Sequence, residues 1–422
     1  MRHSAFNHMT VLPEGGFVLY NFLTGRCLRL SVLSRDYYDN FELYGSDCAA
    51  VRRLVERGFL VDYDEHAYLR NRVRLECGDT YVLRLTICPT LQCNFACPYC
   101  YETARGGRMG EQVRDDLVSF VKGALERYHA GALDVSWYGG EPLLEPEVIR
   151  GLSERLVSLC EERDIPYWAS IITNGYFLDA SVASLLDECK VRSIQVTLDG
   201  PDARTHDETR HLRNGGGTFD RIMSNIATFS GKANIIVRCN VHKGNADAYP
   251  KLEERIRALD KDGDGRISVY AGHMDGHGAY EGMAMHAVKF ADFRRATEKS
   301  VGRVGYTGPI CMAPKLLDLV VDERGNLYKC LESVGRVDES FGNVRDFDFA
   351  DPQSGDMDVL SEWLDYAWPD DEECLRCPLL PVCLGGCPQR RREGAKECTP
   401  IKQLTDEYVI ALARELMHRD EG

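Results

Sequence analysis

The spacing Cys93-Asn-Phe-Ala-Cys97-Pro-Tyr-Cys100, just after the apolar run YVLRLTI (81–87), constrains this chain more than any other feature. Three thiolates in one loop can hold three irons of a [4Fe–4S] cluster and leave the fourth iron open to another ligand. The competing readings are a zinc site short of one ligand, or buried thiols. Cys88, near the strand end, reads as a packed small apolar residue. The chain has 17 cysteines in 422 residues. In a small secreted protein they would indicate disulfides. The length, and an N-terminus (MRHSAFNHMTVLPEGG) without the apolar core of a secretion signal, favour metal ligation instead.

No apolar run reaches the roughly 20 residues that span a bilayer, so a soluble cytoplasmic protein is expected, with no membrane partner. The formal charge of −15, from 51 basic and 66 acidic residues, opposes nucleic-acid binding, which needs Lys and Arg to replace counterions. Residues 1–80 read as a small module. VLPEGGFVLYNFLTGRCLRLS alternates apolar and polar residues around turns at Glu14-Gly15-Gly16 and Thr24-Gly25. CAAVRRLVERGFLV (48–61) then has helical spacing and ends in a strand-like run, which together predict a winged-helix-like fold.

From residue 81 strands and helices alternate. Strands are expected at 81–87, 133–138, 167–173, 193–198, 234–241 and 266–271, with helices over 111–128, 144–163, 178–190, 218–229 and 247–259. The fold class is α/β, a partial (β/α)6 TIM-like barrel over 81–304. Residues 305–400 read as loop-rich, and an amphipathic helix within 401–422 ends the chain. In such barrels chemistry collects at the C-terminal ends of strands. The distinctive residues here follow strand candidates: Cys93 to Cys100, Gly139-Gly140-Glu141-Pro142, Thr173-Asn174-Gly175 and Asp199-Gly200.

CPTLQCNFACPYCYE, with the aromatic Tyr99 before the last cysteine, resembles the signature of the radical S-adenosylmethionine (SAM) superfamily. The resemblance implies that Cys93, Cys97 and Cys100 hold a cluster whose free iron chelates the methionine end of SAM. Reductive cleavage of SAM to a 5′-deoxyadenosyl radical would then abstract a substrate hydrogen. It further implies that Gly139, Gly140, Glu141 and Pro142 approach the cofactor, Glu141 accepting from the methionine amino group. Thr173 and Asn174 would lie near its methionine or ribose part, with Asp199 ending the next strand on the same face. Arg210, Arg213 and Arg238 are candidates for the SAM carboxylate, against the alternative of ordinary surface salt bridges.

The C-terminal pattern is Cys311, Gly325, Cys330, then Cys374-x2-Cys377-x5-Cys383-x3-Cys387 and Cys398. Zinc ribbons share CxxC elements, but seven cysteines do not divide into four-cysteine zinc sites. The pattern resembles the SPASM domain of peptide-modifying radical SAM enzymes. By that resemblance Cys374, Cys377, Cys383 and Cys398 hold a distal cluster, and Cys311, Cys330 and Cys387 an inner one, making three [4Fe–4S] clusters with SAM. Some relatives add a ligand six residues before the first of these cysteines. Here that position is Gly305, so an inner iron could stay open for a substrate thiolate, unless water, another side chain or one of the other cysteines fills it. The remaining Cys27, Cys48, Cys77, Cys88, Cys160, Cys189 and Cys239 read as core thiols.

Maturases of ribosomally made peptides and anaerobic sulfatase-maturating enzymes share this pattern. The latter carry an aspartate base after the ligand matching Cys330, where this chain has Leu331-Glu332. FVLYNFLTGRCLRLS and VRRLVERGFLV resemble the domain that binds a leader peptide as an added strand. A capping domain without a ligand is the alternative. The expected activity is cysteine thioether formation in a precursor peptide, with a flavodoxin- or ferredoxin-type electron donor. C–C crosslinking or formylglycine formation are the alternatives. An RNA-modifying enzyme is disfavoured by charge and the lack of a basic arm, and a structural or redox-sensing cluster protein would not need the GGEP and TNG segments. Asp260-Lys-Asp262-Gly-Asp264-Gly265 imitates a calcium loop, but position 271 is Ala and a strand follows. His273 and His277 frame a polar loop, and Gly215-Gly216-Gly217 precedes Thr218, a candidate helix N-cap.

Overall fold

The computed structural model describes residues 1–102, 106–229, 233–260, 263, 265–274, 282–285, 287–297, 306, 308, 311–396 and 398–420. They form two compact units: residues 78–285 with 315–364, and residues 1–77 with 286–314 and 365–422. The segment expected as one loop-rich domain, 305–400, contributes to both.

In the first unit all six expected strands form: Val82–Ile87, Ala132–Trp137, Tyr167–Thr173, Val191–Thr197, Asn234–Val241 and Ile267–His273. They pair in parallel and in chain order. Their alternate residues are buried, as at Leu83, Leu85, Ile87 and Leu133, Val135, Trp137, because one face of the sheet meets the core. Helices between them present apolar residues at three- and four-residue steps. Glu111–Tyr128 buries Leu117, Phe120, Val121, Ala124 and Leu125 and ends on His129 in the left-handed conformation. Pro146–Glu161 starts with Pro at its first position, and Ala180–Glu188 is capped by Asp179.

The sheet continues past the six. Asp318–Val321 pairs in parallel with Val82–Ile87, and Asn326–Tyr328 and Gly342–Asn343 add two antiparallel strands, for nine in an open order. These three short strands are not foreseen by the loop-rich reading of 305–400. Four consecutive buried residues leave no polar alternation for a strand to be recognised by.

In the second unit Asn7–Val11, Phe17–Asn21 and Arg26–Leu30 form the expected antiparallel sheet. Both its faces are covered. Leu19 and Leu30 pack on Tyr38, Phe41, Val51 and Leu54, from helices Val32–Asp39, Phe41–Tyr44 and Ala49–Glu56. Leu12, Val18, Tyr20 and Phe22 pack on Leu379, Val409, Leu412 and Ala413. The last helix, Thr405–Asp420, therefore completes the core of the N-terminal sheet. Buried Asn21 fastens the first turns, donating to Ser4 Oγ (2.8 Å) and Asn7 Oδ1 (2.9 Å) and accepting from the Leu23 and Thr24 amides (3.0 and 2.8 Å).

Of the expected core thiols, Cys77, Cys88, Cys160, Cys189 and Cys239 are buried, and Cys27 and Cys48 half-buried. The calcium-like stretch is a turn before Ile267–His273. There Asp260 accepts from the amides of Gly263 and Gly265, both at positive φ, while Asp262 and Asp264 lie outside the described residues. Thr218 does not spend its hydroxyl on capping. It donates to the Arg210 carbonyl (2.6 Å), and Asp207 Oδ1 takes the Phe219 amide (3.0 Å). No described helix is long and apolar enough to cross a membrane.

Leu412→Ala, which opens the face shared by the last helix and the N-terminal sheet, should destabilise the second unit by about 2–5 kcal/mol in denaturant unfolding. Amide exchange in Phe17–Asn21 should quicken with it. An effect confined to the helix would contradict the shared core.

Candidate active site

Six parallel strands end on one side of the sheet, and a cavity of 390 Å³ opens there. Its lining comes from each strand end in turn: Leu91 to Glu102, Tyr138 to Gly140, Ile172 to Asn174, Gln195 and Thr197, Arg238 and Asn240, and His273 and Met274. Cys93, Cys97 and Cys100 all face it.

Backbone contacts hold the cysteine loop from two sides. Arg213 donates from its amide to the Asn94 carbonyl (3.0 Å) and from Nε to the Cys93 carbonyl (2.7 Å), and the Ala96 amide donates to the His211 carbonyl (3.0 Å). On the other side the Glu141 amide donates to the Gln92 carbonyl (2.8 Å) and the Gly140 amide to the Thr90 carbonyl (3.3 Å). This close approach explains the glycine pair. A Cβ on Gly139 would sit 2.3 Å from the Thr90 oxygen, and one on Gly140 would sit 2.2 Å from the Gln92 oxygen.

Glu141 is fully buried and does not line the cavity. Its carboxylate accepts from Thr173 Oγ1 (2.7 Å), the Asn174 amide (2.7 Å) and the Leu143 amide (3.0 Å). Burial pushes its carboxyl up, and these hydrogen bonds pull it back. Its side chain thus braces the Thr173-Asn174 turn, and Pro142 is buried beside it. Asn174 does reach the cysteines, donating to Cys93 Sγ (3.7 Å) and Asn94 Oδ1 (2.8 Å). Asp199 is also buried away from the cavity, accepting from the Tyr99 hydroxyl, Thr209 Oγ1 (3.3 Å) and the Asn240 amide (3.0 Å).

Arg210, Arg213 and Arg238 all line the cavity. Arg210 is buried, with Nη1 donating to the Tyr99 hydroxyl (2.9 Å) and its guanidinium 5.6 Å from the Phe95 ring centre. Its buried Nε has no partner among the described residues. Arg238 Nε donates to Asn240 Oδ1 (2.8 Å). A buried donor left free beside two further guanidiniums fits an anionic group such as a carboxylate. Burial raises the Cys97 thiol and pushes Cys93 and Cys100 up to about 11. Three such thiols shed their protons to bound metal, and their spread around an open cavity fits a cluster with a free iron. His273 lines the cavity and engages the Met285 carbonyl (2.6 Å); His277 lies outside the described residues.

Glu102, quoted in the cysteine motif but given no role from sequence, also lines the cavity. Its Oε2 is buried without a partner among the described residues, and burial, which outweighs a hydrogen bond from Tyr138, pushes its carboxyl up to about 7. Tyr101 and Tyr138 meet hydroxyl to hydroxyl beside it. Neither the acid nor the tyrosine pair carries a sequence signal, since only tertiary packing brings them together at the cavity.

The other cysteines divide by unit. Cys374, Cys377, Cys383 and Cys398 line one small cavity of 20 Å³ in the second unit, with Leu379, Leu380, Gly385 and Lys402. Cys311 and Cys387 belong to that unit but do not line the cavity, and Cys330 belongs to the sheet unit, where Leu331 after it lines the main cavity. Gly305 lies outside the described residues.

The two glutamates should behave oppositely. Glu141→Gln places an amide donor against donors and should cost on the order of 1–3 kcal/mol in unfolding experiments. Glu102 has a folded value above its ordinary 4.5, so its ionisation destabilises the fold as pH rises from about 4.5 to about 7. Glu102→Gln should therefore match the native protein near pH 4.5 and exceed its stability above pH 7, by on the order of 2 kcal/mol. A difference independent of pH would refute the raised, desolvated carboxyl of Glu102.

Residues 87–248 match the radical SAM superfamily. The chain is 31% identical over 187 residues to an uncharacterised protein of Archaeoglobus fulgidus, covering 43% of this chain and 38% of that one. It is 34% identical over 121 residues to the GTP 3′,8-cyclase of Microcystis aeruginosa, covering 28% and 34%. The chain thus spans well under half the length of these two relatives. A cysteine-type anaerobic sulfatase-maturating enzyme of Clostridium perfringens is 24% identical over 347 residues, covering 74% of this chain and 89% of that one. Among solved structures, anSMEcpe with bound AdoMet and Cp18Cys peptide shares the fold at a TM-score of 0.60 and 21% identity, covering 80% of this chain and 98% of that one. Streptococcus suis SuiB bound to S-adenosylmethionine does so at 0.54 and 15%, covering 94% and 97%. The cavity at the strand ends lies within the matched region for nearly all of its lining, and residues 87–248 therefore carry a radical SAM domain.

Proposed function

We propose that this chain is a radical SAM peptide maturase with two further [4Fe–4S] clusters, acting on a ribosomally made, cysteine-bearing precursor peptide to form a thioether. The observation that carries the reading is the pair of separate cysteine sites. Cys93, Cys97 and Cys100 line the strand-end cavity, while Cys374, Cys377, Cys383 and Cys398 line another in the second unit. An enzyme that only cleaved SAM would need the first alone. Cys311, Cys330 and Cys387 are assigned to the inner cluster by the family pattern.

When bound, the cluster and SAM supply a one-electron cleavage that yields a hydrogen-abstracting 5′-deoxyadenosyl radical. The chain's own residues orient that chemistry. Arg210, Arg213 and Arg238 offer positive charge to a carboxylate in the cavity, and Gly139 and Gly140 let the loop close against its neighbour. Asn174 places an amide donor on Cys93. Arg26–Leu30 is an edge strand of the N-terminal sheet, and Leu33 and Leu43 nearby in sequence are 65% and 85% exposed. An edge strand with exposed apolar neighbours suits a leader peptide added as a further strand. A flavodoxin- or ferredoxin-type protein is the proposed electron donor.

A second reading is formylglycine formation of the sulfatase-maturating type, favoured by the relative aligned over 89% of its length. Leu331 opposes it: the residue after Cys330 reaches the cavity with an apolar side chain that cannot take a proton.

Anaerobic reconstitution should yield about 12 irons per chain, falling to about 8 when Cys93, Cys97 and Cys100 are all changed to Ala. The loaded protein should convert SAM to 5′-deoxyadenosine under dithionite, and a matured peptide should lose two hydrogens with its cysteine blocked to alkylation. About 4 irons falling to none would remove the two further clusters. A peptide whose cysteine becomes an aldehyde would select the second reading.

A further inference from the structure

Lys402 lies in the short turn Pro400–Gln403, one turn beyond Cys398. Its Nζ donates to Cys398 Sγ at 3.6 Å and to Glu373 Oε1 at 2.5 Å. Glu373 is itself fixed from the other side, because Lys396 Nζ donates to Glu373 Oε2 (2.9 Å) and to Asp371 Oδ2 (2.8 Å). Asp371 in turn caps the turn that carries Cys374, accepting from the Glu373 and Cys374 amides (2.7 and 3.1 Å). Two lysines and two carboxylates therefore balance in charge around two of the four cysteines. Of these four groups, Lys402 sets its ammonium against a sulfur, and Lys402 also lines the four-cysteine cavity.

We propose that Lys402 is a potential-setting residue of the distal cluster, donating a charge-assisted N–H···S hydrogen bond to the cluster-bound Cys398 thiolate. The proposal rests on the distal cluster put forward above. An ammonium has three donors and no acceptor, so toward a thiolate it can only donate. Adding one electron to a cluster increases the negative charge on its sulfurs. A donor held against one of them stabilises the reduced state more than the oxidised one, and hydrogen bonds to the sulfurs and solvent exposure are recognised determinants of cluster potential. The Glu373 and Lys396 clamp keeps the long side chain in place, although it lies partly in solvent at 34% exposure. Cys398 is exposed, so the donor acts at the solvent-facing edge of the site.

The test is an EPR-monitored redox titration of the reconstituted full chain, with dithionite as one-electron reductant. The distal signal is identified as the one that Cys383→Ala removes along with about four irons. Lys402→Met should retain the iron and move the midpoint of that signal to lower potential. Lys402→Arg, which keeps charge and donors, should stay closer to the native value. A Lys402→Met protein with full iron and an unmoved midpoint overturns the role of Lys402 and leaves the cluster assignment standing. If Cys383→Ala loses no iron, the assignment falls, and the role of Lys402 falls with it.

Discussion

The carboxylate of Glu141 joins the ends of two strands inside the core. It sits at the end of the segment zipped onto Thr90 and Gln92, and it receives the hydroxyl of Thr173 and the amide of Asn174 from the next strand end. A buried carboxylate is tolerated when its oxygens are filled, and here three donors fill them. The arrangement fixes the cysteine loop, the glycine pair and Asn174 as one body. Asn174 can then direct its amide to Cys93, which an independently moving loop could not secure.

The opposite wall follows the same logic with reversed charge. Arg210 is buried between Phe95 and Tyr99, and Tyr99 hands its hydroxyl to buried Asp199. Asp199 is anchored to the Asn240 amide at the end of another strand. Hydrogen-bonded pairs thus run inward from Arg210, whose buried Nε has no partner among the described residues. Conserving donors for a ligand, instead of satisfying them within the protein, is how a site differs from a core.

The second unit uses cysteine differently. Its four-cysteine cavity is bordered by Leu379 and Leu380, which also belong to apolar clusters reaching the N-terminal sheet and the helix Glu65–Cys77. Leu379 and Cys377 thus belong both to the cysteine cavity and to the apolar cluster. A cluster held by these cysteines would couple metal loading to folding of that unit, since ligands gathered by packing are dispersed when the packing is lost.

The sequence by itself determined the strand–helix alternation, the six parallel strands and the cysteine loop at their ends, because each rests on local period, spacing and turn chemistry. It also marked Gly139 and Gly140, whose small size the close contact with Thr90 and Gln92 requires. Tertiary structure alone decided the rest. Asp318–Val321 became a seventh parallel strand because a neighbour with unpaired backbone lay beside it, which no short apolar run announces. Glu141 and Asp199 turned inward to brace the site while Glu102, two residues past a cysteine, reached the cavity. Thr405–Asp420 joined the sheet of Phe17–Asn21 across nearly the whole chain. Those outcomes depend on which groups lose water together, and desolvation is a property of packed neighbours that a single chain position does not carry.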